Sequence, residues 1–245
     1  IGRRNKNLKQ FFVAQNQLGL LLCCVLLMAS TFAGAYTSGT VSEAYATGFA
    51  PFIPVASMAL GYTLFIPLVR FYRSLAQEGH ISIPEAFAVR FDGKTKTAIL
   101  IINSLAYGAV FSVQPVAFAN IVAPMLGVNR DIVTWCAVAL MIVMALTGLT
   151  GVAWMNIIHF LAMLGGLSIL AVVAIRSAGG LEQVLATAPA GSLNLFQPDV
   201  PTMLARLVAL TVSMFAASEA ATIAIGAKNR RNAYGSLVIV SALIL

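Results

Sequence analysis

Charged residues are scarce in this sequence. Only 9% of its 245 residues are Asp, Glu, Lys or Arg, whereas 60% are hydrophobic and the mean hydropathy is +0.91. A soluble globular domain carries about 25% charged residues. The composition therefore excludes a soluble domain and indicates a polytopic membrane protein.

Residues that carry enzyme or metal chemistry are few as well. The cysteines Cys23, Cys24 and Cys136 lie in apolar stretches without metal-ligand spacing, so neither a disulfide framework nor a zinc site is indicated. The histidines His80 and His159 have no carboxylate and nucleophile at motif spacing. No glycine-rich phosphate loop followed by Lys supports an ATP-driven pump. We therefore expect a protein that is not an enzyme.

Basic residues exceed acidic ones by 15 to 8, yet their positions do not indicate a nucleic-acid surface. Twelve of them fall in three clusters between apolar spans, at 3–9, 70–96 and 228–231. Such clusters mark cytoplasmic loops, and all three reach the cytoplasm if the first residues start there. We expect the lipid bilayer as the partner and no nucleic acid, while nothing in the sequence specifies an oligomeric state.

Apolar stretches of about 20 residues, the length that crosses a bilayer, divide the chain into seven segments. We call them A to G and expect them at 18–45, 49–69, 98–125, 132–147, 152–175, 203–226 and 235–245. Because there is no initiator Met and segment G stops short, we expect a single transmembrane transporter domain that is an internal fragment of a longer protein. We place it in the inner membrane of a bacterium.

Segments A and F carry small and polar residues at the depth where a membrane anchor would carry Leu. We expect helix A to break near 29–39 (ASTFAGAYTSG) and helix F to be irregular near 213–222. Five segments separate the start of A from the start of F, and a repeat of five helices returns with inverted topology. In that architecture the broken helices form a site at the membrane midplane. Close packing of small residues without a ligand is the alternative.

Two of the eight acids, Glu43 and Glu219, fall inside apolar spans. A charge at the bilayer centre costs about 2.5–3.5 kcal/mol, so such residues usually face the bundle interior or water. Glu219 is the deeper acid, and we interpret it as functional, with a buried structural acid as the alternative. Glu43 lies near the outer end of A, where a structural role is at least as plausible as a role in coupling.

The connections between segments also carry signals. Ser82 and Glu85 fit the start of a short surface helix at 84–91, with Ser82 as its cap. Residues 177–201 are rich in Gly and Pro and predict an outer loop that covers a vestibule. The turn 147–151 (TGLTG) makes D and E a helical hairpin.

Six short motifs, in this order, resemble those of the sodium:solute symporter family. They are residues 2–4 with 11–14 (GRR and FFVA), 29–34 (ASTFAG), 42–45 (SEAY), 82–91 (SIPEAFAVRF), 151–159 (GVAWMNIIH) and 227–230 (AKNR). The resemblance covers nearly the whole chain and implies the leucine-transporter fold, with A to E as the first repeat and F and G opening the second.

The resemblance also implies a site. The backbone carbonyls of Ala29 and Phe32 would bind Na⁺, the coupling ion, and Thr31, Ala33 and Tyr36 would face a small organic solute. The hydroxyls that complete the sodium site in the family come from a helix after G.

Three positions depart from the family pattern. On E, Asn156 replaces an Asp and His159 replaces a Gln, so a second cation site or its relay is in question there. On F, many members have a Gln and an Arg, whereas this chain has Ser218 or Ala217 and Ile223 and adds Glu219 nearby. This acid can bind a cationic group of the solute or take up a proton, with local repacking as the alternative.

These observations lead to three functional hypotheses. The first is sodium-coupled secondary active symport of a small organic solute by alternating access. The second is a symporter-like sensory module of a membrane histidine kinase. The third is a proton-coupled transporter that uses Glu219.

Overall fold

The computed structural model describes residues 14, 17–32, 34–80, 82–216 and 218–245, with the side chains of 34–38 and 216 left out. Every element that it defines in these residues is a helix. In chain order the α-helices are α1 (Leu20–Thr31), α2 (Gly34–Thr47), α3 (Phe52–Phe65), α4 (Val69–Gln77), α5 (Ile83–Arg90), α6 (Gly93–Leu126), α7 (Arg130–Ala145), α8 (Gly148–Ser177), α9 (Leu181–Thr187), α10 (Val200–Ala216), α11 (Ser218–Gly226) and α12 (Arg230–Ile244).

Four helical stretches in the described part of the chain are long and apolar enough to cross a membrane. They correspond to segments B, C, E and F and comprise Phe52–Gln77, Gly93–Leu126, Gly148–Ser177 and Val200–Gly226. The first continues from α3 through a 3-10 turn, Ile66–Leu68, into α4. Segment A is divided between α1 and α2, and D and G form helices of 16 and 15 residues.

Several helices extend beyond the apolar run that marks them, because capped polar turns continue the helix. Helix α6 begins at Gly93, and the Asp92 carboxylate before it accepts a hydrogen bond of 2.7 Å from the Thr95 N–H. Hydrogen bonds from the Thr95 side chain and from the Thr95 N–H hold the pKa of Asp92 below its usual range. The surface helix α5 is present, but its Ser82 side chain makes no capping hydrogen bond. The expected capping by Ser82 was therefore wrong. Helix α9 lies inside the outer loop and was not predicted.

Segment A is interrupted after Thr31, and segments A and F lie antiparallel beside each other. At one end, the Leu18 N–H donates to the Gly226 carbonyl at 3.2 Å, and the Lys228 N–H donates to the Leu18 carbonyl at 2.8 Å. At the other end, the Arg206 guanidinium forms an ion pair with the Glu43 carboxylate. The start of each segment therefore meets the end of the other, and the end of α1 lies between these contacts.

The remaining helices pack around this pair in two groups. Helix α3 lies along α10 and α12, and α12 also contacts α1. A Cβ at Gly61 on α3 would lie 2.5 Å from the Met214 Cβ and 2.9 Å from the Thr211 carbonyl oxygen, so glycine allows the close approach to α10. The main core cluster, which includes Leu27, Tyr62 and Leu237, fills this group.

The second group consists of α6, α7 and α8. Helix α7 packs on α6 and α8, α8 returns to α1, and α2 contacts α6. Large apolar side chains such as Trp135, Trp154 and Leu161 are exposed on these helices. Exposed apolar surface of this extent is typical of contact with lipid. The predicted all-helical, polytopic, inverted-repeat architecture is confirmed.

Candidate functional site

A cavity of about 440 Å³ lies between segments A, C, E and F. Leu26, Leu27, Ala29 and Ser30 of α1 line one side, and Ser218, Glu219, Thr222 and Ile223 of α11 line another. Tyr107 and Phe111 of α6, and Leu149, Val152 and Asn156 of α8, complete the lining. We call it the central cavity. Most of its wall is apolar, and the polar groups gather near the start of α11.

The polar groups of the central cavity form one hydrogen-bonded cluster. The Tyr107 hydroxyl donates to Glu219 Oε2 at 3.2 Å. The Ser218 N–H donates to the Tyr107 oxygen at 2.9 Å, and the Ser218 hydroxyl also bonds to it. Since the single Tyr107 proton goes to Glu219, the Ser218 hydroxyl acts as donor. The hydrogen bonds of the cluster therefore run in one direction, from Ser218 to Tyr107 and from Tyr107 to Glu219.

The backbone places this cluster. The described parts of segment F are α10, which reaches Ala216, and α11, which carries Ser218 and Glu219 as its first residues. Ser218 directs its N–H at Tyr107, and Glu219 follows it directly in the sequence. An acid is thus held beside a hydrogen-bond donor inside an apolar span.

The interruption of A exposes the negative, C-terminal end of helix α1. Helix α1 ends at Thr31, and Phe32 follows with φ −97° and ψ 49°, outside the helical region. The last carbonyls of a helix have no intrahelical donor and carry a partial negative charge. The end of α1 therefore suits a cation, and Ala29 in its last turn lines the central cavity.

Thr31 lies elsewhere than in the central cavity wall. Its side chain is 5% exposed, donates to the Leu27 carbonyl at 2.8 Å and lies 2.9 Å from the Tyr62 hydroxyl. The Thr31 side chain thus connects A to B and does not line the central cavity. Ala33 lies outside the described residues, and Tyr36 belongs to α2 but its side chain lies outside them as well.

The structure separates the other candidate residues. Asn156 lines the central cavity with Ala29 and Glu219. His159, three residues further along α8, is exposed and does not line it. Glu43 lies at the far end of α2, where it pairs with Arg206.

Tyr107 is the residue that sequence reasoning missed. It lies 112 positions before Glu219, so no local spacing connects the two residues. The available signal was the polar group Asn103, Ser104 and Tyr107 in the middle of C. Polar residues at that depth usually face the interior of a bundle.

A second cavity, of about 750 Å³, lies at the outer end of A and B. It is lined by the end of α2, the start of α3 and outer-loop residues that include Thr187, Ser192 and Gln197. The Phe49 N–H donates to the Ser192 carbonyl at 2.8 Å and anchors the loop. Gly48, at φ +66°, has no room for a side chain beside Ser192. The connection between α8 and α10 therefore forms part of the wall of this second cavity.

Arg73 of α4 caps the C-terminal end of segment F. Its Nη1 donates to the Ala227 carbonyl at 2.7 Å and to the Ile225 carbonyl at 3.2 Å. A cation at a helix C-terminus stabilises the last carbonyls. Together with the bonds between Leu18 and residues 226 and 228, this contact ties A, B and F together at that end.

Comparison with known proteins places this geometry among transporters. The sequence profile of the sodium:solute symporter family matches residues 11–238. Among solved structures, the chain is similar to a substrate-bound, outward-open Na⁺-coupled sialic acid symporter described with a novel Na⁺ site, with a TM-score of 0.81 and 16% sequence identity. This similarity covers 99% of the chain and 53% of the symporter, so the chain spans about half the length of that protein. No curated protein sequence matches the chain.

Proposed function

Because the chain belongs to the sodium:solute symporter family, we propose that the protein carries a small organic solute across the membrane by sodium-coupled symport. It acts without chemical conversion of the solute, by alternating access to the central cavity. The observation that supports this proposal is the antiparallel pairing of A and F, since the interrupted segment A and the Glu219 region of F line one cavity. Broken helices at such a position are the site of solute and ion binding in inverted-repeat transporters.

The coupling ion is Na⁺ in this proposal, held by the backbone carbonyls of Ala29 and Phe32. The residues fit a hard cation because α1 ends at Thr31 and leaves the negative end of its dipole beside the cavity. Among the residues that line the central cavity, Asn156 supplies an amide at the position of the family acid, and we assign it a supporting contact.

For the solute, we propose Glu219 as the principal contact. It lies in the first turn of α11 and faces the central cavity. Ala33 and Tyr36 remain proposed contacts from the resemblance. Thr31 affects solute binding by holding helix A in position, since its hydroxyl is hydrogen-bonded to Leu27 and Tyr62.

The proposed orientation places the start of A and the end of F in the cytoplasm. The basic clusters at 3–9, 70–96 and 228–231 all lie on that side. The vestibule at the outer loop then opens to the outside, and the contacts of Arg73 and Leu18 close the cytoplasmic end. We place the protein in a bacterial plasma membrane.

Ion replacement tests the proposal. Proteoliposomes with the full-length protein are given radiolabelled amino acids, sugars, organic acids and amines under an inward gradient of NaCl or of KCl. We expect at least one solute to accumulate only with the sodium gradient, and protein-free liposomes serve as the control. Equal accumulation in KCl with only a proton gradient contradicts sodium coupling and favours the proton-coupled alternative.

A further inference from the structure

We propose that the central cavity selects solutes that carry a cationic, hydrogen-bond-donating group on a small apolar body, with Glu219 as the counter-charge. This inference rests on the proposed function, since it names the class of solute for the same site.

The first step is the charge balance around Glu219. In the described residues, the ion pair that the structure contains is Arg206 with Glu43, so Glu219 has no basic partner there. None of the residues that line the central cavity is Lys, Arg or His. A carboxylate at this depth is costly unless a positive group balances it. The cavity next to Glu219 is the space where such a group can enter.

The second step is the direction of the hydrogen bonds. Ser218 donates to Tyr107, and Tyr107 donates to Glu219 Oε2. These bonds occupy Oε2 and fix the carboxylate as an acceptor. No described residue donates to Oε1. An ammonium or guanidinium group supplies the donor and the charge that this oxygen lacks.

The third step is the size and polarity of the cavity. Its volume of about 440 Å³ is more than ten times the roughly 30 Å³ that a water molecule occupies in the liquid. A bare ion would leave most of this space empty. The apolar part of the lining includes Leu26, Leu149, Val152 and Ile223, which suits a hydrocarbon body.

Aromatic rings add to this preference. Tyr107 and Phe111 lie on the same helix and both line the cavity. The faces of aromatic rings attract ammonium and guanidinium groups when water is excluded. An anionic solute, in contrast, would meet Glu219 without any basic residue in the lining to balance its charge. The site therefore favours an organic cation over a carboxylic acid of the same shape.

Binding of matched probes tests this inference. Full-length protein in nanodiscs is titrated in NaCl with 2-phenylethylammonium and butylammonium, with the alcohols of the same length, and with 3-phenylpropionate. We expect the ammonium probes to bind roughly ten- to hundredfold more tightly than the alcohols, because a hydrogen bond to a charged group is lost. We expect no measurable binding of the carboxylate.

Variants identify the residue that is responsible. Glu219→Gln should abolish the preference for ammonium over alcohol, whereas Glu219→Asp, which keeps the charge, should retain part of it. The matched control is Glu182→Gln, an exposed acid of the outer loop, which should leave the preference unchanged. A normal thermal unfolding midpoint for each variant shows that the protein is folded.

Three results overturn the inference: no ammonium binding up to millimolar concentration, a preference that persists in Glu219→Gln, or a loss of ²²Na⁺ binding in Glu219→Gln without any effect on the ammonium probes. The last result assigns Glu219 to the coupling ion. Failure of the proposed function is distinguishable from failure of this inference. If ammonium binding is equal in NaCl and KCl and no uptake is driven by sodium, the sodium coupling is contradicted and the inferred solute class stays intact. Sodium-driven uptake of neutral solutes that is unchanged in Glu219→Gln contradicts the inferred solute class and leaves the sodium coupling intact.

Discussion

Replacing Thr31 by Val should destabilise the protein more than replacing Tyr62 by Phe, although both changes remove the same hydrogen bond. Thr31 has one hydroxyl proton, and it goes to the Leu27 carbonyl, which can only accept. Tyr62 must therefore be the donor in the 2.9 Å bond to Thr31. The Tyr62 side chain is 1% exposed, so water cannot replace a lost partner.

The expected losses in the free energy of unfolding follow from the direction of this hydrogen bond. In Thr31→Val the buried Tyr62 proton loses the Thr31 oxygen, and an unsatisfied buried donor costs about 1–3 kcal/mol. In Tyr62→Phe the Thr31 hydroxyl keeps its bond to Leu27 and loses only a donor, so the cost is near the net value of one hydrogen bond, about 0.5–1.5 kcal/mol. The double variant should cost less than the sum, by about 0.6 kcal/mol and at most about 1.7 kcal/mol, as found for pairs inside membrane proteins.

The assay is unfolding of the full-length protein in mixed micelles with a rising fraction of SDS, which gives the free energy of unfolding for each variant. Thr63→Val is the matched control, because the Thr63 hydroxyl donates only to the Ala59 carbonyl of its own helix. We expect that control to change the free energy of unfolding by less than about 0.5 kcal/mol. A larger loss in Tyr62→Phe than in Thr31→Val, or strictly additive losses, would refute the reasoning.

Three further predictions use the same assay. Gly61→Ala should cost about 1–3 kcal/mol, because its Cβ would lie 2.5 Å from the Met214 Cβ; a neutral result contradicts the close crossing of B and F. Arg73→Gln should cost about 1.5–3 kcal/mol through its charged bonds to the end of F, and a loss below 0.5 kcal/mol contradicts the cap. Glu43→Gln should cost only about 0.2–1 kcal/mol, since the pair with Arg206 is partly exposed; a larger loss shows a buried, structural pair.

The sequence was most informative where composition itself carries the physics. Small and polar residues within an apolar span predict a place where a helix can break, and helix α1 ends at Thr31, inside the range 29–39. The inverted arrangement followed from the odd number of segments, five, from the start of A to the start of F.

The rotation of each helix about its axis could not be predicted in the same way. Helix α1 is apolar on nearly all sides, so periodicity does not indicate which of its faces meets B and which meets the cavity. As a result Thr31 was expected beside the solute, whereas its side chain bonds to Tyr62. Tyr107 was missed because its partners are 111 and 112 residues away, and only the fold brings them together.

Sided labelling of the central cavity tests the account most directly. A single cysteine is introduced as Thr222→Cys in full-length protein whose Cys23, Cys24 and Cys136 are replaced by Ala, and membrane-impermeant thiol reagents are applied from either side of oriented vesicles. We expect labelling from the outside in NaCl and from the cytoplasmic side in KCl, while the control Glu182→Cys reacts only from the outside in both salts. Simultaneous reaction of Thr222→Cys from both sides, or no change between the salts, would contradict a sodium-controlled site with alternating access.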